Sequence, residues 1–202
     1  MTEPTISIIV PTSGRPTLTR TLASIAPQLR PGDEIIVVRD ATGDSGDTPR
    51  TDAMRRARGT HLAFLDDDDV YLPDGLEKMR RFARANPGRI GIFKMEHHTG
   101  TTHWRKDEPV LRYMNVSTQN LLVPNVPGKL GRWQKREQPA APDATHAGDW
   151  VFLTETIALQ GEEPLFVDEV TVYFRPAGPL RRAWARTRRR AALGSRLRRA
   201  AQ

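Results

Sequence analysis

The chain contains no cysteine. That excludes thiol nucleophiles, cysteine-built zinc sites and any disulfide framework, so the 202 residues must rely on their core, and the absence fits a reducing compartment. No apolar run approaches the ~20 residues a bilayer span needs. The start, Met1-Thr2-Glu3-Pro4, places no basic stretch ahead of an apolar segment. The expectation is a soluble, cytoplasmic chain. Signatures of other chemistries are missing too: there is no GxGxxG, no GxxxxGKS/T and no GxSxG.

A basic body is also lacking, although the net charge is +7. Nine of the 31 basic residues, and none of the 24 acids, fall in residues 181–202, so residues 1–180 hold 22 basic groups against 24 acidic ones. The basicity belongs to a tail. This argues against a basic nucleic-acid-binding face on the body and leaves the tail free to meet phosphates on nucleic acid or an anionic membrane.

What is present is a repeated alternation of buried-type strands and helices. "ISIIV" (residues 6–10) is a β-branched run that stops at Pro11, as expected of a strand buried on both faces. Pro16 suits a first helical position, and Leu18, Leu22, Ile25 and Leu29 recur at helical spacing. "DEIIVVRD" (33–40) reads as a second buried strand, followed by the turn-rich "ATGDSGD". Residues 51–58 read as a helix stopped by Gly59, and "THLAFL" as a third strand. A helix from Pro73 carries Leu76, Met79 and Phe82. The pattern predicts an α/β fold with a mostly parallel central sheet. After it, "RIGIFKM", "VLRYMNV" and "NLLVP" read as strands with few helices between them, which adds antiparallel or mixed pairing. Residues 148–161 read as a helix, 165–175 as a late strand and 127–147 as a long loop.

In open α/β sheets ligands bind at the carboxyl ends of the strands. Three strands end there in polar groups: Pro11-Thr12-Ser13, Asp40, and the run Asp66 to Asp69. Two carboxylates ~4 Å apart repel by about 4 kcal/mol at an effective dielectric near 20, so the run needs water, basic neighbours or a cation. A bare Asp run is usually a solvated loop. Closing a buried-type strand at the binding edge, it instead offers hard oxygen ligands, and Asp66 and Asp68 can address one Mg²⁺ or Mn²⁺ beside a phosphate leaving group. A calcium loop does not fit. With Asp66 at position one, Val70 and Tyr71 stand where a ligand and a glycine are required.

The succession "SIIVPTSGR", "EIIVVRD", "PRT" before "RARG", "HLAFLDDDDVYLPDGLEKM" and later "AGDWVFL" resembles the family 2 glycosyltransferases of GT-A fold. The resemblance covers about residues 5–82 and resumes around 145–160. It implies a single GT-A-like catalytic domain over 1–179, with a nucleotide-binding half of about 1–98 and an acceptor half of about 99–179, followed by a basic, helical tail over 180–202. It implies transfer from a nucleotide-diphosphate sugar, a UDP-sugar foremost, to an acceptor hydroxyl on a glycan, lipid-linked molecule, protein or modified nucleic acid. Mn²⁺ or Mg²⁺ is the implied cofactor, and the anomeric centre is inverted. Pro11, Thr12 and Arg15 would border the nucleotide, Asp40 would read the base, and Arg50 would stand near the nucleotide. Asp66-Asp67-Asp68 corresponds to the DxD motif, with Asp68 the foremost metal ligand, Asp66 a second and Asp67 near the ribose and phosphates. Asp69 belongs to the loop or supports the ligands from behind. The family's acidic pair before Trp aligns with Gly148-Asp149-Trp150. Its first acid is missing, and Asp149 stands where the base should be, although Asp149 at a helix start can equally be an N-cap.

Other residues carry weaker signals. His97, His98 and His103 read as surface histidines, although one of them could complete a metal's coordination. His146 reads as a loop histidine near the proposed base. Trp104, Trp133 and Trp150 could stack on a sugar, and a partly buried structural Trp is the commoner fate. In the tail, Leu180, Trp184, Thr187 and Ala191 share a helical face, and an interfacial helix on anionic lipid, a packing tail and a nucleic-acid contact all stay open. The rival to the enzyme is an idle GT-A-like module that docks to nucleic acid or anionic membrane through this tail.

Overall fold

A computed structural model of the chain describes residues 3–97, 102–103, 108–113, 115–134 and 148–176. Strands β1 (Ile6–Thr12), β2 (Glu34–Arg39) and β3 (His61–Phe64) alternate with helices α1 (Leu18–Ile25) and α2 (Asp47–Met54). Then come β4 (Val70–Tyr71), α3 (Gly75–Ala85), β5 (Gly91–His97), β6 (Thr102–His103), β7 (Leu121–Pro124), α4 (Gly148–Gln160) and β8 (Leu165–Phe174). They form one sheet in the order β2-β1-β3-β7-β5-β8-β4, with β6 added to β5. The half β2-β1-β3 is parallel, and β5 pairs parallel with β8. β7 runs antiparallel to both β3 and β5 and joins the two halves. This is the mixed sheet around a parallel centre that the strand–helix alternation predicts.

β1 is buried along its whole length because it lies between β2 and β3 under helices on both faces. Its alternate residues feed two cores: Ile6, Ile8 and Val10 pack with Leu76, Met79 and Phe93, and Ile9 packs with Phe64, Trp133 and Phe152. Each such side chain contributes about 1.5–3 kcal/mol by leaving water. Pro11 is tolerated in this central strand because the pairing with β3 ends at Ile9↔Phe64. Beyond that point the ladder runs on one side, so the missing N–H has no second neighbour to serve.

Two expectations need correction. The run "EIIVVR" is not buried on both faces: β2 ends the sheet, its residues are partly covered, and Val37 is 43% exposed. A β-branched run reports a strand and carries no information about its place in the order. The segment "VLRYMNV" is not a strand among its described residues. Asn115 donates its side-chain amide to the carbonyls of Val110 (2.7 Å) and Glu108 (3.1 Å), which folds the segment onto itself while Val116 joins the core. Helix α2 also starts earlier than expected, at Asp47 rather than Thr51.

One buried ionic contact ties α3 to the turn before β2 and to the start of β1. Arg80 of α3 is 1% exposed and holds Asp33, in the turn before β2, together with the carbonyl of Gln28 (3.0 Å). Asp33 accepts the backbone N–H groups of Ile6 (2.8 Å) and Arg30 (2.8 Å) as well. No helix among the described residues is long and apolar enough to cross a membrane.

Candidate active site

The polar strand ends do meet. They line a cavity of about 450 Å³ at the carboxyl edge of β1, β2 and β3, to which α4 contributes Gly148 and Asp149. All nine residues singled out in the sequence, Pro11, Thr12, Arg15, Asp40, Arg50, Asp66, Asp67, Asp68 and Asp149, lie on its wall.

The acidic run leaves β3 and bends into a turn closed by the Asp69 N–H donating to the Asp66 carbonyl (3.1 Å). The turn spreads the four carboxylates over several partners, with Arg15 shared by Asp67 and Asp68, and these contacts offset part of their mutual repulsion. Asp66 binds Arg50 and accepts from the Gln119 amide (2.5 Å). Asp67, buried, accepts from the Thr12 hydroxyl (2.7 Å) and faces Arg15 at 3.4 Å. Asp68 pairs with Arg15 (3.0 Å) and Arg175 (3.5 Å). Asp69, fully buried, accepts the Arg175 backbone N–H (2.7 Å). Its Oδ2 is buried with no hydrogen-bond partner among the described residues. Burial, with the Asp66 charge beside it, raises its pKa well above the carboxylate range. Helix α1 holds the turn from behind: Arg20 donates to the Asp68 carbonyl (3.0 Å) and Thr21 to that of Asp69 (2.7 Å).

Asp40 organises the loop between β2 and α2. Its carboxylate accepts from the Thr42 hydroxyl (2.9 Å), the Gly43 N–H (2.9 Å) and the Gly46 N–H (3.1 Å). Burial pushes its pKa up, and the hydrogen bonds from Thr42 and Gly43 more than offset that, leaving it lowered. Gly46 then adopts φ 86°, and a Cβ there would meet Arg50 Nη1 at 2.8 Å and Pro11 Cβ at 3.1 Å. The glycine lets Arg50 reach inward, where it donates to the Ser45 carbonyl (2.9 Å) and lies over the Trp133 ring at 5.0 Å. Trp133 in turn stacks on Phe152 at 4.4 Å. Of the tryptophans considered, Trp133 is thus the buried support of an arginine, and Trp150 packs edge-on against Tyr113.

Asp149 sits in the first turn of α4, and its carboxylate accepts the Trp150 N–H (2.8 Å). Burial lifts its pKa to about 6 against the opposing pull of that hydrogen bond and of Arg50. A carboxyl group with such a pKa can take up a proton near neutrality. His97 stacks on Phe174 at 5.4 Å, and Phe174 lines the cavity. His98, His146, Trp104, the His103 side chain and the basic tail lie outside the described residues.

Sequence reasoning missed Gln119, Arg175 and Asp47. Gln119 sits on a short 3₁₀ turn ahead of β7, and Arg175 follows β8 at φ 43°, its guanidinium over Phe174 at 5.0 Å. Neither stands in a motif. Sheet pairing alone brings them to Asp66 and Asp69.

Known proteins resemble this chain in sequence and in fold. Residues 48–134 match the family model described as Glycosyl transferase family 2. An uncharacterized glycosyltransferase of Haemophilus influenzae is 28% identical over 96 residues, which cover 45% of this chain and 31% of the relative. The crystal structure of S. aureus TarS superposes with a TM-score of 0.62 at 17% identity, over 87% of this chain and 37% of that one. TarS residues 1–349 in complex with UDP-GlcNAc give 0.61 at 18% identity, over 87% and 59%. The chain therefore spans about a third of the length of the curated relative and of the longer TarS chain. Family match and relative together support an assignment to glycosyl transferase family 2, and the superpositions show that the chain shares the GT-A fold of the solved glycosyltransferases.

Proposed function

We propose that this cavity transfers a sugar from a nucleotide-diphosphate sugar to an acceptor hydroxyl, with inversion at the anomeric carbon. The observation that carries the reading is the convergence on one cavity of an acidic turn, the arginines Arg15, Arg50 and Arg175, and an Asp149 poised near neutrality. A UDP-sugar is the first donor to test, because the related TarS structures are described with UDP-GlcNAc and with UDP. Residues 1–98 would supply the nucleotide half and 99–179 the acceptor half.

The acidic turn fits a hard divalent cation. Asp66, Asp68 and Asp69 each offer an oxygen, all within 4.8 Å of one another, and the unpartnered Oδ2 of Asp69 adds a buried donor that a cation would satisfy. Asp68 and Asp66, with Asp69 behind them, would hold Mn²⁺ or Mg²⁺, which when bound supplies Lewis-acid stabilisation to the departing diphosphate. Thr12, Asp67 and Asp40 border the nucleotide. Arg15 and Arg175, with side chains 53% and 62% exposed, are free to turn from Asp68 onto phosphate oxygens. Asp149 takes the proton of the acceptor hydroxyl as its oxygen bonds to C1, while the C1–O bond to the diphosphate breaks and its electron pair leaves with the phosphate.

The test is thermal shift and donor turnover with UDP-GlcNAc and other UDP-sugars, with and without Mn²⁺. Wild type should be stabilised by nucleotide plus Mn²⁺, and Asp68→Ala should lose turnover while keeping its fold. No nucleotide-dependent shift in wild type, or full activity of Asp68→Ala in EDTA, would defeat the proposal.

A further inference from the structure

The sequence has Gly148 where the family resemblance calls for an acid, and the structure shows what fills the space. A Cβ added to Gly148 would lie 2.4 Å from Oδ1 of Asp47 and 2.8 Å from both its Cγ and Oδ2. A side chain at position 148 would have to displace that carboxylate from where it stands. Gly148 is the first residue of α4, a helical position that does not itself call for glycine. What it provides is room. Asp47, on the first turn of α2, is buried and lines the same cavity as Asp149. Its Oδ1 stands 3.9 Å from Arg50 Nη1, while Nη2 of the same arginine holds Asp66.

We infer that Asp47 replaces, from α2, the carboxylate that position 148 does not carry, and that it is a positioning residue for Asp149; this rests on the transferase reading above. Its negative charge lies against the N-terminal turn of α4, where the helix dipole favours it. There it fixes the turn that carries Asp149 and keeps Arg50 between Asp47 and Asp66. Position 47 and position 148 are thus one functional place reached from two helices. An acid is needed there once, and a second side chain would push the first out of place.

A reciprocal swap tests this. The variants are Asp47→Asn, Asp47→Gly, Gly148→Asp and the double variant Asp47→Gly/Gly148→Asp. Each is followed by thermal melting and by kcat and KM for UDP-GlcNAc turnover with Mn²⁺. Gly148→Asp alone should melt ~5 °C or more below wild type through overpacking, and adding Asp47→Gly should restore most of that loss. Asp47→Asn, which keeps the shape, and Asp47→Gly should each lower kcat by roughly 10²-fold, as misplacement of a reacting group does, with donor KM within about threefold of wild type. The double variant should recover kcat at least tenfold over Asp47→Gly. A double variant no faster than Asp47→Gly, wild-type kcat in Asp47→Asn, or wild-type melting of Gly148→Asp would each overturn the inference. Absence of turnover in wild type defeats the transferase reading separately, and the melting cycle still decides whether the two positions share one place.

Discussion

Replacing Asp149 by Asn should make the protein more stable and inactive, and the stability gain should depend on pH. In the fold, burial raises the Asp149 pKa from 3.8 to about 6. The native state therefore holds this proton over a pH range in which the unfolded chain has released it. Stability is unaffected by this group below about pH 4, falls as pH rises through the interval, and has lost the full amount above pH 6. A rise of that size costs the native state about 1 kcal/mol at pH 4.5 and about 3 kcal/mol at pH 7.5. Asn keeps the shape and the acceptor oxygen for the Trp150 N–H without the charge. Urea unfolding in EDTA should show the Asn variant ahead of wild type by about 1 kcal/mol at pH 4.5 and about 3 kcal/mol at pH 7.5. Donor binding should survive and sugar transfer should be lost. In wild type, transfer should rise tenfold per pH unit below pH 6 and level off above it. An Asn variant no more stable than wild type at pH 7.5, or an advantage that does not grow with pH, would refute the reasoning.

Arg50→Lys should reduce kcat/KM by roughly 10- to 100-fold, because a lysine cannot reach Asp66 and the Ser45 carbonyl together while lying flat on Trp133. Steady-state kinetics at wild-type values would show that the fork geometry is not used. Arg80→Met should cost about 3–5 kcal/mol by leaving Asp33 buried without its cation, and adding Asp33→Asn should return part of that. Urea midpoints equal to wild type for the single variant would place the support of this turn in its backbone hydrogen bonds instead.

Much of this molecule is legible in its sequence because its strands are continuous β-branched runs ending in polar residues. Ile6 to Thr12 and His61 to Asp69 read directly as buried strands that open onto a binding edge, and Pro11, Thr12, Asp40, Asp66 and Asp68, chosen on that logic, line one cavity with Arg15, Arg50, Asp67 and Asp149, which the family resemblance added. The limits are equally physical. β4 and β6 are two residues long, too short for any periodicity to show. The exposure of β2 follows from its terminal place in the sheet, which alternation within "EIIVVR" does not encode. Asp69 reads as a loop residue or a support behind the ligands, and the sequence does not show that the turn buries it completely while leaving Asp68 partly open. Gln119, Arg175 and Asp47 join the site through antiparallel pairing and helix packing, and their neighbours in sequence give no sign of it.

The contacts that close the acidic turn reach far along the chain. Thr12 and Asp67 are 55 residues apart, Gln119 and Asp66 are 53 apart, and Arg175 and Asp69 are 106 apart. Contacts of such separation must overcome loop closure before they stabilise anything, so they slow folding. During synthesis the turn emerges more than a hundred residues before Arg175, and until β8 docks Asp69 has no backbone donor from that end. The proposed metal and donor sites, which share this turn, would then reach full affinity at a late stage of folding. Nucleotide affinity, measured during refolding, would serve as a clock for completion of the sheet.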